Sequence, residues 1–80
     1  MTARQLLIVA HTPSPNTSRM AEAVLRGAHH EDIENVEARH VPPLEAGPED
    51  VLGADAIILG TTENLGTMSG ALKDFFDRIY

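Results

Sequence analysis

Two continuous apolar runs stand out along the chain: "QLLIVA" (residues 5–10) and "ADAIILGTT" (residues 54–62). A run without alternation predicts a strand covered on both faces. "ENVEARHV" (34–41) alternates instead, setting Val36, Ala38 and His40 against Glu37 and Arg39. One polar face predicts an edge strand, which Pro42 and Pro43 end. Between these segments the period lengthens. "TSRMAEAVLRGAHH" (17–30) places Met20, Ala21, Val24, Leu25 and Ala28 at helical spacing, with Glu22 and Arg26 outward. Thr17 or Asn16 is suited to cap its start, and Gly27 weakens its last turn. "GPEDVLGA" (47–54) predicts a short helix, with Pro48 first and Glu49 and Asp50 in the opening turn. "SGALKDFFDRIY" (69–80) predicts a longer one, capped by Ser69, with Leu72, Phe75, Phe76 and Ile79 as its apolar stripe.

Strand, helix, strand, short helix, strand, helix is the order of a parallel α/β sheet. Ligands of such sheets bind beyond the carboxyl ends of the strands. The loops at 11–18 and 60–69 each follow an apolar strand directly, so both are expected on one sheet edge, facing one site.

Composition narrows the classes. Eighty residues suffice for one small core, and 42% apolar residues suit a globular chain. A formal net charge of −6 argues against nucleic acid or an anionic membrane surface as the main partner. No apolar run approaches the roughly 20 residues that span a bilayer, and the N-terminus lacks the pattern of a signal peptide. Without cysteine there is no disulfide framework, thiolate nucleophile or Cys-based metal site. A cytoplasmic protein is the expectation.

The first loop sits in "HTPSPNTSRM" (11–20), a strand-to-helix corner rich in hydroxyl and amide groups. A helix N-terminus offers unpaired N–H groups and partial positive charge, and so favours an anion. Thr12, Ser14, Asn16, Thr17 and Ser18 add donors, which suits phosphate; a plain N-cap in a solvated turn is the other reading. There is no GxxxxGK[ST], and no GxGxxG follows the first strand. The third strand ends Leu59-Gly60-Thr61, without the aspartate of a phosphoacceptor receiver domain.

Taken together, the two loops resemble the flavodoxin-like superfamily, above all its FMN-binding flavodoxins and NAD(P)H:quinone or FMN reductases. The first family loop runs [ST]-x-[ST]-G-x-T; here it is Thr12-Pro13-Ser14-Pro15-Asn16-Thr17. The third family strand, with its loop and helix, runs A-D-x-I-I-x-G-T-P-x-Y-x-G-x-[MP]-[SP]-x-x-[LM]-K-x-[FW]-[FIL]-D-R; here the same stretch is "ADAIILGTTENLGTMSGALKDFFDRIY". The resemblance implies a three-layer α/β sandwich with a parallel sheet of order 2-1-3-4-5, of which residues 1–80 carry the first three strands. By the same resemblance Thr12, Ser14, Asn16 and Thr17 hold the FMN phosphate. Thr61, Thr62, Glu63, Asn64, Leu65 and Gly66 lie along the ribityl chain and isoalloxazine edge.

The function so implied is electron transfer through FMN, with NAD(P)H-dependent reduction of a quinone or similar small acceptor foremost. The other readings are a one-electron carrier with a redox partner protein, and a non-catalytic interaction domain. No catalytic residue and no metal ligand is assigned. Pro15 stands where the family has glycine and removes one backbone donor; Thr62 and Asn64 replace the common proline and aromatic. The family also continues through two further strands. The chain is therefore expected to be truncated after its last helix, with a bare strand edge that favours homo-oligomers or marginal folding.

Among the remaining polar residues, His29 and His30 are read as solvated helix-end histidines and His40 as lacking a clear partner. His11 is placed to face the phosphate. Glu45, Glu49 and Asp50 are read as acidic surface, Glu63 as pointing to solvent or toward the flavin, and Asp74 as a partner for Arg78.

Overall fold

The computed structural model describes residues 3–80. Its elements are β1 (Arg4–Ala10), α1 (Pro15–Ala28), β2 (Val36–Val41), α2 (Pro48–Leu52) and β3 (Ala56–Gly60), then β4 (Glu63–Asn64), β5 (Thr67–Met68) and α3 (Gly70–Ile79). The first three strands form one parallel sheet of order β2-β1-β3. β1 is central because it is apolar throughout its second half. Leu7 to Ala10 are all buried, as the unbroken run predicts. β2 alternates half-buried and exposed positions through Arg39, as an edge strand should.

Successive β1 residues feed opposite layers. Leu7 and Val9 meet Ala46, Leu72 and Phe75 on one face, with Val41, Val51, Ala54, Met68, Phe76 and Ile79 packed around them. Ile8 and Ala10 meet Ala21 on the other face, supported by Leu6 and Leu25. The result is helix, sheet, helix: the α/β sandwich expected, with its first three strands in the expected order.

Several expectations shift. The first helix starts two residues early, because Ser14 and not Asn16 or Thr17 is its cap. Proline disfavours helical geometry in the residue before it, and Ser14 is extended, at φ −138° and ψ 162°. Pro15 then takes the first helical position, where no N–H is needed. Met20 and Val24 do not reach the core; they are 70% and 41% exposed beside β3.

β3 is the larger correction. Its apolar run predicts burial, yet Ile57, Ile58 and Leu59 are 40%, 40% and 46% exposed. Among the described residues only β1 pairs with β3, so its outer edge and the adjoining flanks of both faces are open.

Some surface charges do structural work. Asp50 is not merely acidic surface: it pairs with Arg39 Nη2 at 2.6 Å and accepts the Gly47 N–H at 2.8 Å. These two contacts, the arginine first, hold its carboxyl below the usual carboxylate range. Arg78 pairs with Asp74 as expected, at 2.6 Å, but also donates to the backbone oxygens of Ala46 and Pro43. It thereby ties α3 to the segment before α2. His40 has a partner after all, the Ala10 carbonyl oxygen at 3.0 Å from Nε2. His29 likewise meets the Ala38 carbonyl oxygen, 3.2 Å from Nε2.

Candidate functional site

β1 and β3 run parallel in register, Ala10 opposite Gly60, so both loops leave the sheet side by side. A backbone hydrogen bond from His11 N–H to the Gly60 carbonyl, 3.0 Å, joins them at their roots. Gly60 is required there: a Cβ on it would lie 2.9 Å from the Cβ of Ala10. The two loops thus share one edge, as expected. Between them and α1 lies a cavity of about 230 Å³. Its polar end is formed by His11, Thr12, Thr17 and Thr61; Ile8, Met20, Val24 and Ile58 line its apolar floor and side.

The first loop is built around the start of α1. Ser14 Oγ accepts the Thr17 N–H at 3.3 Å, and Thr17 Oγ1 accepts the Ser14 N–H at 3.1 Å. This is a reciprocal capping box, with threonine in the place usually held by Glu or Gln. Thr17 Oγ1 also donates to the Ser14 carbonyl at 2.9 Å, which commits its one hydroxyl hydrogen. Asn16 Oδ1 accepts from Arg19 Nη1 at 3.3 Å, leaving the Asn16 amide hydrogens as donors. Asn16 is the second helical residue, so its backbone N–H has no intrahelical acceptor. With the Thr17 hydroxyl hydrogen committed, the Ser14 hydroxyl donates to Thr17 Oγ1, 3.1 Å away. The donors that remain at this corner include the Thr12 hydroxyl and the backbone and side-chain N–H groups of Asn16. Those are groups a phosphate accepts from well.

The second loop folds more than its sequence suggests. β4 and β5 form a minimal antiparallel hairpin pairing Glu63 with Met68 and Asn64 with Thr67. Leu65 and Gly66 turn the chain with φ of 54° and 83°. Positive φ at both positions is the requirement of a type I′ hairpin turn. Glycine meets it freely, whereas leucine in left-handed backbone is strained by about 1–2 kcal/mol. The Leu65 side chain is nonetheless fully exposed at the tip. Glu63 does not simply face solvent: its carboxylate accepts the Gly66 N–H and fixes the turn. The sequence signal was Glu63 three residues before Gly66, visible only once a turn is assumed.

Thr61 anchors the far end. Its Oγ1 accepts the Ser69 N–H at 2.9 Å and donates to the Thr62 carbonyl at 2.8 Å. Ser69, fully buried, in turn caps α3 through Leu72 N–H at 3.3 Å. Thr62 Oγ1 donates to Asn64 Oδ1 at 3.1 Å, so the Asn64 amide hydrogens are outward donors. Of the ten residues expected at the site, Thr12, Thr17 and Thr61 line the cavity. Ser14 and Asn16 sit at the start of α1, Thr62 leads into the hairpin and does not line the cavity, and Glu63 to Gly66 belong to the hairpin itself.

Sequence reasoning sets His11 toward the phosphate. It lines the cavity, and its Nδ1 is shielded from solvent with no hydrogen-bond partner. An unsatisfied buried polar atom costs about 1–3 kcal/mol. The residues present fit a phosphorylated ligand of flavin type. Donors cluster at one end of an apolar-lined cavity, the glycine at Gly60 lets the two strands approach closely beneath it, and an orphaned imidazole nitrogen stands at their junction. Among the described residues no group of three or more His, Cys, Asp and Glu is placed to hold a metal ion. No helix is long and apolar enough to cross a membrane.

Comparison with known proteins agrees with the geometry. The family model described as NADPH-dependent FMN reductase matches residues 4–80. A flavodoxin of Aquifex aeolicus is 39% identical over 75 residues, covering 94% of this chain and 40% of the relative. An NAD(P)H dehydrogenase (quinone) of Acidithiobacillus ferrooxidans is 29% identical over 92 residues, covering 92% of this chain and 46% of the relative. The chain thus spans less than half the length of these relatives.

Proposed function

The chain belongs to the NADPH-dependent FMN reductase family, and from that premise we propose that it binds FMN across the two loops and serves NAD(P)H-dependent reduction of a quinone or similar small acceptor. The observation that carries this reading is the junction of both loops at the His11–Gly60 hydrogen bond, over one cavity with donors at one end. When bound, FMN supplies the redox chemistry, taking a hydride from NAD(P)H and passing electrons to the acceptor.

The protein's part is binding, orientation and electrostatics. Thr12, Ser14, Asn16 and Thr17 hold the phosphate end. The Thr12 hydroxyl and the Asn16 N–H groups donate to it, while Ser14 and Thr17 hold each other in the capping box that shapes the corner. Thr61 to Gly66 take the ribityl chain and the isoalloxazine edge. Thr61 serves there as an anchor whose hydroxyl is already committed to the loop, and Asn64 offers its amide hydrogens. Pro15 removes a donor from the nest and in exchange presets the extended Ser14 that the cap requires.

Fluorescence titration of FMN with the full chain tests the cofactor claim. Quenching at micromolar protein is expected, and unquenched FMN would overturn it. Steady-state oxidation of NADPH with a quinone then tests the activity. A one-electron carrier is the second reading, favoured by the likeness to a flavodoxin. It predicts a stable half-reduced flavin on photoreduction and no quinone turnover.

A further inference from the structure

We propose that His40, on the edge strand, is a positioning residue for the site. Its ring holds the Ala10–His11 peptide, from which the first loop departs, and so sets where that loop stands; its bearing on FMN rests on the reading above. The ladder of β1 shows why a side chain is needed there. Arg4 N–H donates to the Asn35 carbonyl at 2.8 Å, so even-numbered β1 residues turn their backbone groups toward β2. Odd-numbered residues turn toward β3: the Gln5 carbonyl accepts from Asp55 N–H at 2.8 Å, and His11 N–H donates to the Gly60 carbonyl at 3.0 Å. With Ile8 opposite His40 and Val9 opposite Val41, the ladder to β2 advances two residues at a time on both strands. The next donor, the one due to the Ala10 carbonyl, would be the N–H of residue 43. That residue is Pro43, which has none.

His40 supplies the bond that the proline cannot. Its Nε2 lies 3.0 Å from the Ala10 oxygen. A carbonyl oxygen only accepts, so Nε2 carries the hydrogen, and in the neutral ring Nδ1 is left as an acceptor. Ala10 is buried, so its carbonyl needs a protein partner. The Ala10–His11 peptide is then held on both sides, by His40 at its C=O and by Gly60 at its N–H. This single peptide joins the end of the edge strand to the roots of both loops. Thr12, two residues past Ala10, lines the main cavity. It also lines a smaller pocket with His40, Ser18 and Glu22, so the ring and the loop share a wall. A histidine that only filled space on an edge strand would be replaceable by an apolar side chain of similar size. A positioning histidine needs its donor.

Two variants of the full chain separate these roles. His40→Leu keeps bulk without a donor, and His40→Gln keeps an amide N–H at about the reach of Nε2. Native-state hydrogen exchange, followed by NMR, reads the His11 amide, with the Asp55 amide at the other end of the β1–β3 contact as the control. Beyond any global loss seen in urea melts, His40→Leu is expected to speed exchange at His11 about tenfold and to leave Asp55 unchanged. FMN affinity, read by fluorescence quenching, is expected to weaken about tenfold in the same variant. His40→Gln is expected to return both readouts toward wild type. Unchanged exchange at His11, equal change at both amides, unchanged FMN affinity, or a Gln variant no better than Leu would each overturn the proposal. Imidazole nitrogen shifts of the wild type test it without any variant. The neutral His40 ring is expected in the Nε2–H form, and a predominant Nδ1–H form would overturn the proposal. If wild type binds no flavin, the cofactor reading falls, and the exchange and tautomer results alone decide the role of His40.

Discussion

Leu7 and Val9 face one side of β1 and Ile8 and Ala10 face the other, yet the two sides end up unlike. On the first, α2 and α3 close over the strand. Phe75 is 1% exposed and Leu72 3%, and Arg78 fastens α3 to the chain ahead of α2. On the second, α1 covers only β1 and the β2 flank. Met20 and Val24 stay exposed, and beside β3 an apolar cavity remains, with hydroxyls at its upper end. Buried apolar area stabilises in proportion to its extent, so stability is concentrated on the closed face. The ligand chemistry proposed above belongs to the open one, where hydroxyls line the cavity. Strand residues alike in type serve both roles because neighbours, not propensity, decide which surface is covered.

The largest test of that asymmetry removes Phe75. Phe75→Ala should cost about 3–5 kcal/mol by urea or thermal unfolding. Met20→Ala, on the open face, should stay within about 0.5 kcal/mol. Similar losses at the two positions would break the comparison. An intermediate effect is expected at Arg78. Arg78→Ala leaves the Pro43 and Ala46 carbonyls without their donor and should cost about 1–3 kcal/mol. Lys73→Ala deletes only an exposed pair with Asp77 and should cost about 0.3–0.5 kcal/mol. The smallest effect is a pH dependence. Asp50 has a lowered pKa in the fold, so its share of stability is present above the unfolded value and is lost as pH falls below about 4. The stability gap between wild type and Asp50→Asn should therefore shrink on acidification, measured by urea melts from pH 7 to pH 3.

Much of the closed face is legible in the sequence. The unbroken apolar run marks β1, alternation marks β2 as an edge, and the Leu72, Phe75, Phe76 and Ile79 spacing marks α3 with Ser69 as its cap. These are local patterns, written into consecutive residues. β3 misleads because an apolar run reports what a strand is suited to, not what lies beside it. The start of α1 misleads because Asn16 and Thr17 are good caps in isolation, and only the constraint of Pro15 on Ser14 decides among them. The hairpin at Glu63–Asn64 and Thr67–Met68 is illegible because leucine gives no sign of left-handed backbone. At the site, the family resemblance supplies which loops matter. The structure supplies which polar groups are already engaged, and that accounting depends on contacts between residues as far apart as Thr61 and Ser69.

The central claim is that flavin chemistry occupies the open edge between the two loops. Backbone amide chemical shifts of the full chain, followed by two-dimensional NMR during FMN addition, test it most directly. The account predicts the largest changes across residues 11–18 and 60–67 and little change in the second half of α3 or in α2. Shifts centred on α2 and α3, or none at saturating FMN, would contradict it.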